Sequence, residues 1–291
     1  MATREAHHRS QLDVEAPSVS PWLQKGFHLF LEKYLAKQFD AVAVETSSLS
    51  NAEIITNQDH SPAATSSPVV QYHPLPFIVY ANHPSWWDPM IAHYLNRQLF
   101  PEHQFYAPMD AEALERYQIL KRLGFYGVQM GRPEGVKKYL RASSAITQSG
   151  DHAIWITPEG RFTDVRDSSA GWMPGLAHLC QRLGHGYVMP VALEYVFWNE
   201  PRPVCLASIG PPQSIDSLTT LTKEECSNTL QSCLRTTQTR LKTLAIQRDP
   251  NPFTILIKGR SGPKGLYGAM RRLTAVALGR RDRQRHGEPL Q

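Results

Sequence analysis

The chain has 291 residues, 32.8 kDa, with 41% apolar and 20% charged side chains. That balance is globular, and the length allows one large domain or two small ones with a sizeable core. No run of about 18 apolar residues offers a membrane span, and Met1–Asp13 lacks the apolar stretch of a secretory signal. Four cysteines without a CxxC pair suit free thiols in a reducing compartment better than a disulfide frame or a zinc site. The net charge is +5, but Lys258–Gln291 alone carries nine Lys or Arg against two acids, so the remainder of the chain is slightly acidic. A basic tail on a near-neutral body implies an anionic partner, a membrane surface or nucleic acid.

In chain order, residues 1–20 read as a disordered N-terminus. From Pro21 to Phe39, Trp22, Leu23, Phe27, Phe30, Leu31, Tyr34 and Leu35 recur at helical spacing behind a proline placed to start a helix. A short strand over 39–44 follows, then a Ser/Thr/Asn/Pro-rich stretch, 46–76, that reads as a long loop. Apolar runs at 77–81, 153–157, 187–193 and 204–209 predict buried strands, with weaker candidates at 104–107 and 125–130. Helical patterns fall at 88–99, 110–121, 133–149, 174–183 and 221–247. The alternation predicts an α/β fold: a single mixed, largely parallel sheet flanked by helices. An N-terminal amphipathic helix and a basic C-terminal helical tail complete it. The expected organisation is a disordered 1–20, a domain over 21–250 and a basic amphipathic tail over 251–291.

Two segments carry chemistry. Asn82-His83-Pro84-Ser85-Trp86-Trp87-Asp88-Pro89 leaves the C-terminal end of the FIVYA strand, where open α/β sheets place ligands. If the chain turns through Pro84 and Ser85, Asp88 returns to the Nδ1–H of His83. That bond fixes the tautomer and leaves Nε2 free to take a proton from a hydroxyl. The same spacing also suits a tryptophan-rich turn with Asp88 as a helix cap. No third ligand stands at metal spacing, so no metal is expected. The second segment, Thr157-Pro158-Glu159-Gly160-Arg161-Phe162-Thr163-Asp164, follows the AIWIT strand. Arg161 could hold a phosphate or carboxylate bidentately, although Pro-Glu-Gly is also ordinary turn chemistry.

Together the His-x4-Asp and Pro-Glu-Gly blocks, some 70 residues apart, resemble those of the glycerolipid and lysophospholipid acyltransferase family. Leu123–Val128 leading to Arg132 is similar to the family's second block, and Val188-Met189-Pro190-Val191 to its fourth. Gly171-Trp172-Met173-Pro174-Gly175 also fits the order, and the resemblance spans about residues 39–210. It implies acyl transfer from acyl-CoA or acyl carrier protein to a lysolipid hydroxyl, with His83 as general base, Asp88 orienting it, and no acyl-enzyme and no cofactor. The resemblance assigns Asn82, Ser85, Arg132, Glu159, Gly160 and Arg161 to substrate binding. One departure is plain: Phe162 stands where the family's third block has its arginine, which leaves a non-phosphate acceptor open, such as an amino-acid lipid or a glycosylated isoprenoid. The other readings are a catalytically silent lipid-binding protein of this fold and a hydrolase. The tail Leu266–Leu278 and its following arginines, with the helix at 21–37, suit an anionic bilayer. The expected location is therefore cytoplasmic, at the inner face of a membrane, with nucleic acid the less favoured partner.

Overall fold

The computed structural model describes residues 17–58, 75–129, 132–148, 151–198 and 200–259. Helix α1 (Pro21–Gln38) starts on its proline and leads into strand β1 (Ala41–Glu45). A 3-10 turn and α2 (Leu49–Gln58) follow, then β2 (Phe77–Ala81), α3 (Asp88–Leu99) and β3 (Gln104–Asp110). Next come α4 (Ala111–Arg116), β4 (Phe125–Val128), α5 (Pro133–Gln148) and β5 (His152–Ile156). The chain continues through α6 (Gly175–Leu183), β6 (Tyr187–Val196), β7 (Val204–Ile209) and the two-residue β8 (Gln213–Ser214). It closes with α7 (Ile215–Thr219), α8 (Lys223–Gln247) and β9 (Phe253–Lys258).

The strands form one mixed sheet in the order β4-β3-β5-β2-β6-β7-β1-β9, with β8 pairing to β6. From β4 to β6 every neighbour is parallel, and β6–β7 and β1–β9 are antiparallel. This is the expected fold class. Strand alternation sorts the core. Phe77, Val79 and Ala81 face Leu31 and Leu35 of α1 and Ile91 and Leu95 of α3, whereas Ile78 and Tyr80 face α5, α6 and α8. β2 is buried on both faces, as a central parallel strand flanked by helices must be. Helix α8, 25 residues long, opens on a capping box between Thr222 and Glu225.

Several boundaries differ from expectation. Residues 46–58 are not loop: Ala52 and Ile55 of α2 bury against the sheet, and two such anchors among polar residues hold a helix that composition conceals. The helix expected over 110–121 stops at Arg116 and continues as a 3-10 turn, Gln118–Leu123. The sheet runs past residue 250, because the apolar alternation of 253–258 pairs with β1. Residues 260–291, the rest of the basic tail, lie outside the described residues, as do 1–16. Pro17–Ser20 pack on the domain: the Tyr106 hydroxyl donates to the Pro17 carbonyl and the Ser20 N–H to that of Arg122. Helix α1 is apolar on both sides. Leu31 and Leu35 are buried, while Trp22, Leu29 and Phe30 are exposed on a helix that also carries exposed Lys25 and Lys33. Among the described residues, no helix is long and apolar enough to cross a membrane.

Candidate active site

The site forms where three adjacent strands, β5, β2 and β6, end or overhang. β2 stops at Ala81, opposite Val191, but β6 runs on to Val196. The segment after β2 lies over that overhang. Asn82 is buried and continues the pairing with its side chain: its amide donates to the Leu193 carbonyl, and its amide oxygen accepts from the Leu193 N–H. The Asn82 amide is thus engaged with main chain. Pro84 then turns the chain, and Asp88 opens α3.

Asp88 is buried, and its carboxylate accepts three hydrogen bonds. Oδ2 takes the His83 Nδ1–H at 2.7 Å and the Ser85 N–H at 2.9 Å, and Oδ1 takes the Tyr195 hydroxyl at 2.6 Å. The positive end of α3 adds to the stabilisation of this charge. An ionised carboxylate only accepts, so Nδ1 is the donor in this bond, and a neutral imidazole that makes it has its lone pair on Nε2. Among the described residues, Nε2 has no hydrogen-bond partner, and the side chain is 18% exposed. The exposed ring of Phe162 lies 4.5 Å from the imidazole, centre to centre.

The Pro-Glu-Gly segment locks the main chain of His83. Buried Glu159 accepts the His83 N–H through Oε2 at 2.9 Å, and the Thr163 N–H donates to the His83 carbonyl, also at 2.9 Å. Gly160, at φ 63°, makes this turn possible. Burial pushes the Glu159 carboxyl above the ordinary carboxylate range, opposed by the His83 N–H and by Arg235. The Arg235 guanidinium, from α8, stands 3.9 Å from Glu159 Oε1. Among the described residues that oxygen, buried, has no hydrogen-bond partner.

The structure therefore brings His83, Asp88, Ser85 and Glu159 together, with Asn82 beneath them. Gly160 and Arg161 are exposed in the turn. Arg132 is exposed at the start of α5, after β4, three strands from β2 and so about 14 Å across the sheet. Sequence reading missed Tyr195 and Arg235. Tyr195 could have been found by continuing the alternation Val191, Leu193, Tyr195 beyond the expected strand end. Arg235 has no local signal, because it arrives from a helix 76 residues after Glu159.

Beside the dyad runs a cleft of about 670 Å³ between the β6 overhang, the His83–Asp88 turn and α8. Pro84, Ser85, Trp87, Leu193, Tyr195 and Leu241 line it. His83 and Asp88 are not in its wall, but their neighbours Pro84, Ser85 and Tyr195 are. Its rim carries both charge signs, Asp164 and Arg166, Glu194 and Lys242.

A mixed α/β sheet carries a carboxylate-bonded imidazole at the end of its central strand, next to a largely apolar cleft, and this is the candidate site. Residues 55–194 match the model of the Acyltransferase family, a segment that contains His83, Asp88, Glu159 and Arg161. Among solved structures, the chain is similar to the 1-acyl-sn-glycerophosphate (LPA) acyltransferase PlsC from Thermotoga maritima. The identity is 16%, covering 75% of this chain and 79% of that one, with a TM-score of 0.47. The comparison with curated proteins returned no match.

Proposed function

We propose that this acyltransferase moves a fatty acyl group from acyl-CoA or acyl carrier protein to a hydroxyl of a lysophospholipid, such as 1-acylglycerol-3-phosphate, in phospholipid biosynthesis. The observation that carries the reading is the 2.7 Å bond from His83 Nδ1 to Asp88, which leaves Nε2 basic and open. The acceptor hydroxyl approaches Nε2, loses its proton there and attacks the thioester carbonyl carbon. The C–O bond forms, a tetrahedral oxyanion collapses, the C–S bond breaks, and the imidazolium returns the proton to the leaving thiolate. Asp88 stabilises the imidazolium in between. The acyl transfer is direct, and it needs no cofactor.

In this reading Asn82 and Glu159 hold the His83 loop, Ser85 fixes the carboxylate, and Gly160, Arg161 and Arg132 form an outer ring that receives the acceptor's headgroup. A non-phosphate acceptor is the second reading, and one observation favours it: Phe162, not an arginine, lies against the imidazole. The lysolipid is reached by peripheral contact with an anionic bilayer at the cytoplasmic face. Trp22, Leu29 and Phe30 of α1 supply the apolar contact, and Lys25, Lys33 and the basic tail supply the charge.

The test is purified protein with palmitoyl-CoA and 1-acylglycerol-3-phosphate, following both thiol release and diacylated product. His83→Ala should abolish transfer. Activity within about tenfold of wild type would remove His83 as the base. Thiol release with free fatty acid and no acylated acceptor would identify a hydrolase instead. Thiol release that requires a neutral lipid alcohol would select the non-phosphate acceptor.

A further inference from the structure

We propose that Tyr195 is a positioning residue of the dyad, its hydroxyl holding the Asp88 carboxylate in the plane that presents Oδ2 to His83. The inference rests on the reading of His83 as the base, and it adds a group outside both motif segments.

The geometry is specific. Both bonds from the motif loop, from His83 and Ser85, go to Oδ2. Those two alone would let the carboxylate swing about its Cβ–Cγ bond and carry Oδ2 away from the imidazole. The Tyr195 hydroxyl, 2.6 Å from Oδ1, is the third point that fixes the plane. Its length is that of a charge-assisted O–H···O⁻ bond. Tyr195 is rigidly mounted. It lies in β6, paired with Cys205 of β7, and its ring packs 5.9 Å from that of Phe39. An aromatic side chain has only two torsions, so little freedom remains once the strand is fixed.

The hydroxyl is also a permanent donor. Burial, then Cys205 and Asp88, push its titration well above the ordinary tyrosine range. Burial likewise pushes the Cys205 thiol up, so Cys205 stays neutral. The groups around the dyad are therefore Tyr195 and Cys205 from β6 and β7, Glu159 from the segment after β5, and Arg235 from α8. Among these only Tyr195 hydrogen-bonds to Oδ1 of Asp88. A donor on Oδ1 draws charge from Oδ2 and moderates its pull on the His83 proton. Tyr195 lines the cleft as well. One side chain therefore joins the cleft wall to the dyad.

The experiment is Tyr195→Phe in the full chain, which keeps the ring and removes the oxygen. Two readouts are taken: the titration of the His83 imidazole by NMR, assigned by its loss in His83→Gln, and kcat and KM for palmitoyl-CoA with 1-acylglycerol-3-phosphate. Without the donor, Oδ2 becomes the stronger acceptor. The His83 titration should move to higher pH by about 0.5, and kcat should fall about tenfold with KM within about twofold. Incorporating 2,3-difluorotyrosine at 195, a stronger donor with the ring kept, should move the titration the other way. A His83 titration that both variants leave in place overturns the proposal, whatever happens to kcat, because a packing defect lowers the rate without moving it. The two ideas fail separately. Retained transfer in His83→Ala removes the base assignment, whereas an unmoved His83 titration removes only Tyr195.

Discussion

Asp88→Asn tests the dyad most directly, because the side chain keeps its shape and loses one charge. In the folded protein Asp88 accepts three hydrogen bonds. An asparagine has one acceptor oxygen. If that oxygen faces Tyr195, the amide NH2 opposes the Ser85 N–H and donates to His83 Nδ1. That places the imidazole proton on Nε2, the atom that must be bare. If the amide flips, the oxygen serves His83 and Ser85, and the Tyr195 hydroxyl must turn to accept. The second arrangement keeps the tautomer but still lacks the charge that stabilises the imidazolium. Opposite unit charges about 4 Å apart interact by about 4 kcal/mol at an effective dielectric constant of about 20. An amide dipole retains a fraction of this, so about 3 kcal/mol of transition-state stabilisation is lost. At 1.36 kcal/mol per decade that is on the order of 100-fold in kcat, approaching 1,000-fold where the wrong tautomer dominates.

The assay is thiol release from palmitoyl-CoA, run beside His83→Ala and the double variant. If Asp88 acts only through His83, the double variant is no slower than His83→Ala alone, because a dyad that works as a unit is lost once. Two results would refute the reasoning. One is Asp88→Asn within tenfold of wild type. The other is a double variant whose loss is the product of the two single losses, which would give Asp88 a separate role. Folding should survive: the bond from the Ser85 N–H is lost in one arrangement and that of Tyr195 is reversed in the other, a cost of about 1–3 kcal/mol that a melting curve can verify.

A second prediction concerns the junction of α1 with α3. His28 Nε2 and His93 Nδ1 are 3.0 Å apart, and His93 Nε2 meets the Leu123 carbonyl, so the His93 ring, accepting at one nitrogen and donating at the other, is neutral. Burial is the main cause that lowers both, His93 to about 3 from the ordinary 6.5. The unfolded chain takes up the proton first, so stability is complete above pH 6.5 and falls as pH drops from there towards 3. For His93 alone, urea unfolding should lose about 2 kcal/mol between pH 7 and 5, and His93→Gln should remove that part of the slope. Third, Gly124→Ala should destabilise by a few kcal/mol in the same assay, because φ is +102° and a Cβ would fall onto the Phe105 carbonyl; an unchanged midpoint would contradict this. Fourth, Trp22→Ala with Phe30→Ala should weaken sedimentation with anionic vesicles severalfold and leave melting unchanged, since both side chains are exposed. Equal binding would relieve α1 of that role.

What the sequence made legible follows the range of the interactions involved. Helix α3 over 88–99 and strand β2 over 77–81 are written in local apolar runs, and their bounds agree with the structure. The contact of His83 with Asp88 spans only five residues and a proline turn, so spacing offers it, beside a helix-cap reading of Asp88. Helix α2 and strand β9 were not anticipated. Their stability comes from a few buried side chains against a sheet assembled from distant segments, Ile55 in one case and Ile257 in the other. Local composition dominates the reading of such pieces, and tertiary burial decides them.

The same distinction divides the site. Glu159 was legible as a polar residue after a strand, but its partner was not. It accepts the His83 N–H across 76 residues, which places it as a brace for the base loop. Such a brace acts because β2 and β5 are paired in register, with Tyr80 opposite Ile156, so the segments leaving both strands emerge side by side. Tyr195 depends on a further condition, the extension of β6 beyond the end of β2, which exists only because β7 turns back to pair with it from Val196 to Val191. A motif search sees the loop and its strand. The antiparallel hairpin that carries the third bond to Asp88 follows the motifs in sequence and shares no spacing with them. The orientation of the base is therefore set by a sheet pairing as much as by the two segments that announce it. Loosening the β6–β7 hairpin near Tyr195 should accordingly lower kcat before it lowers the global melting temperature.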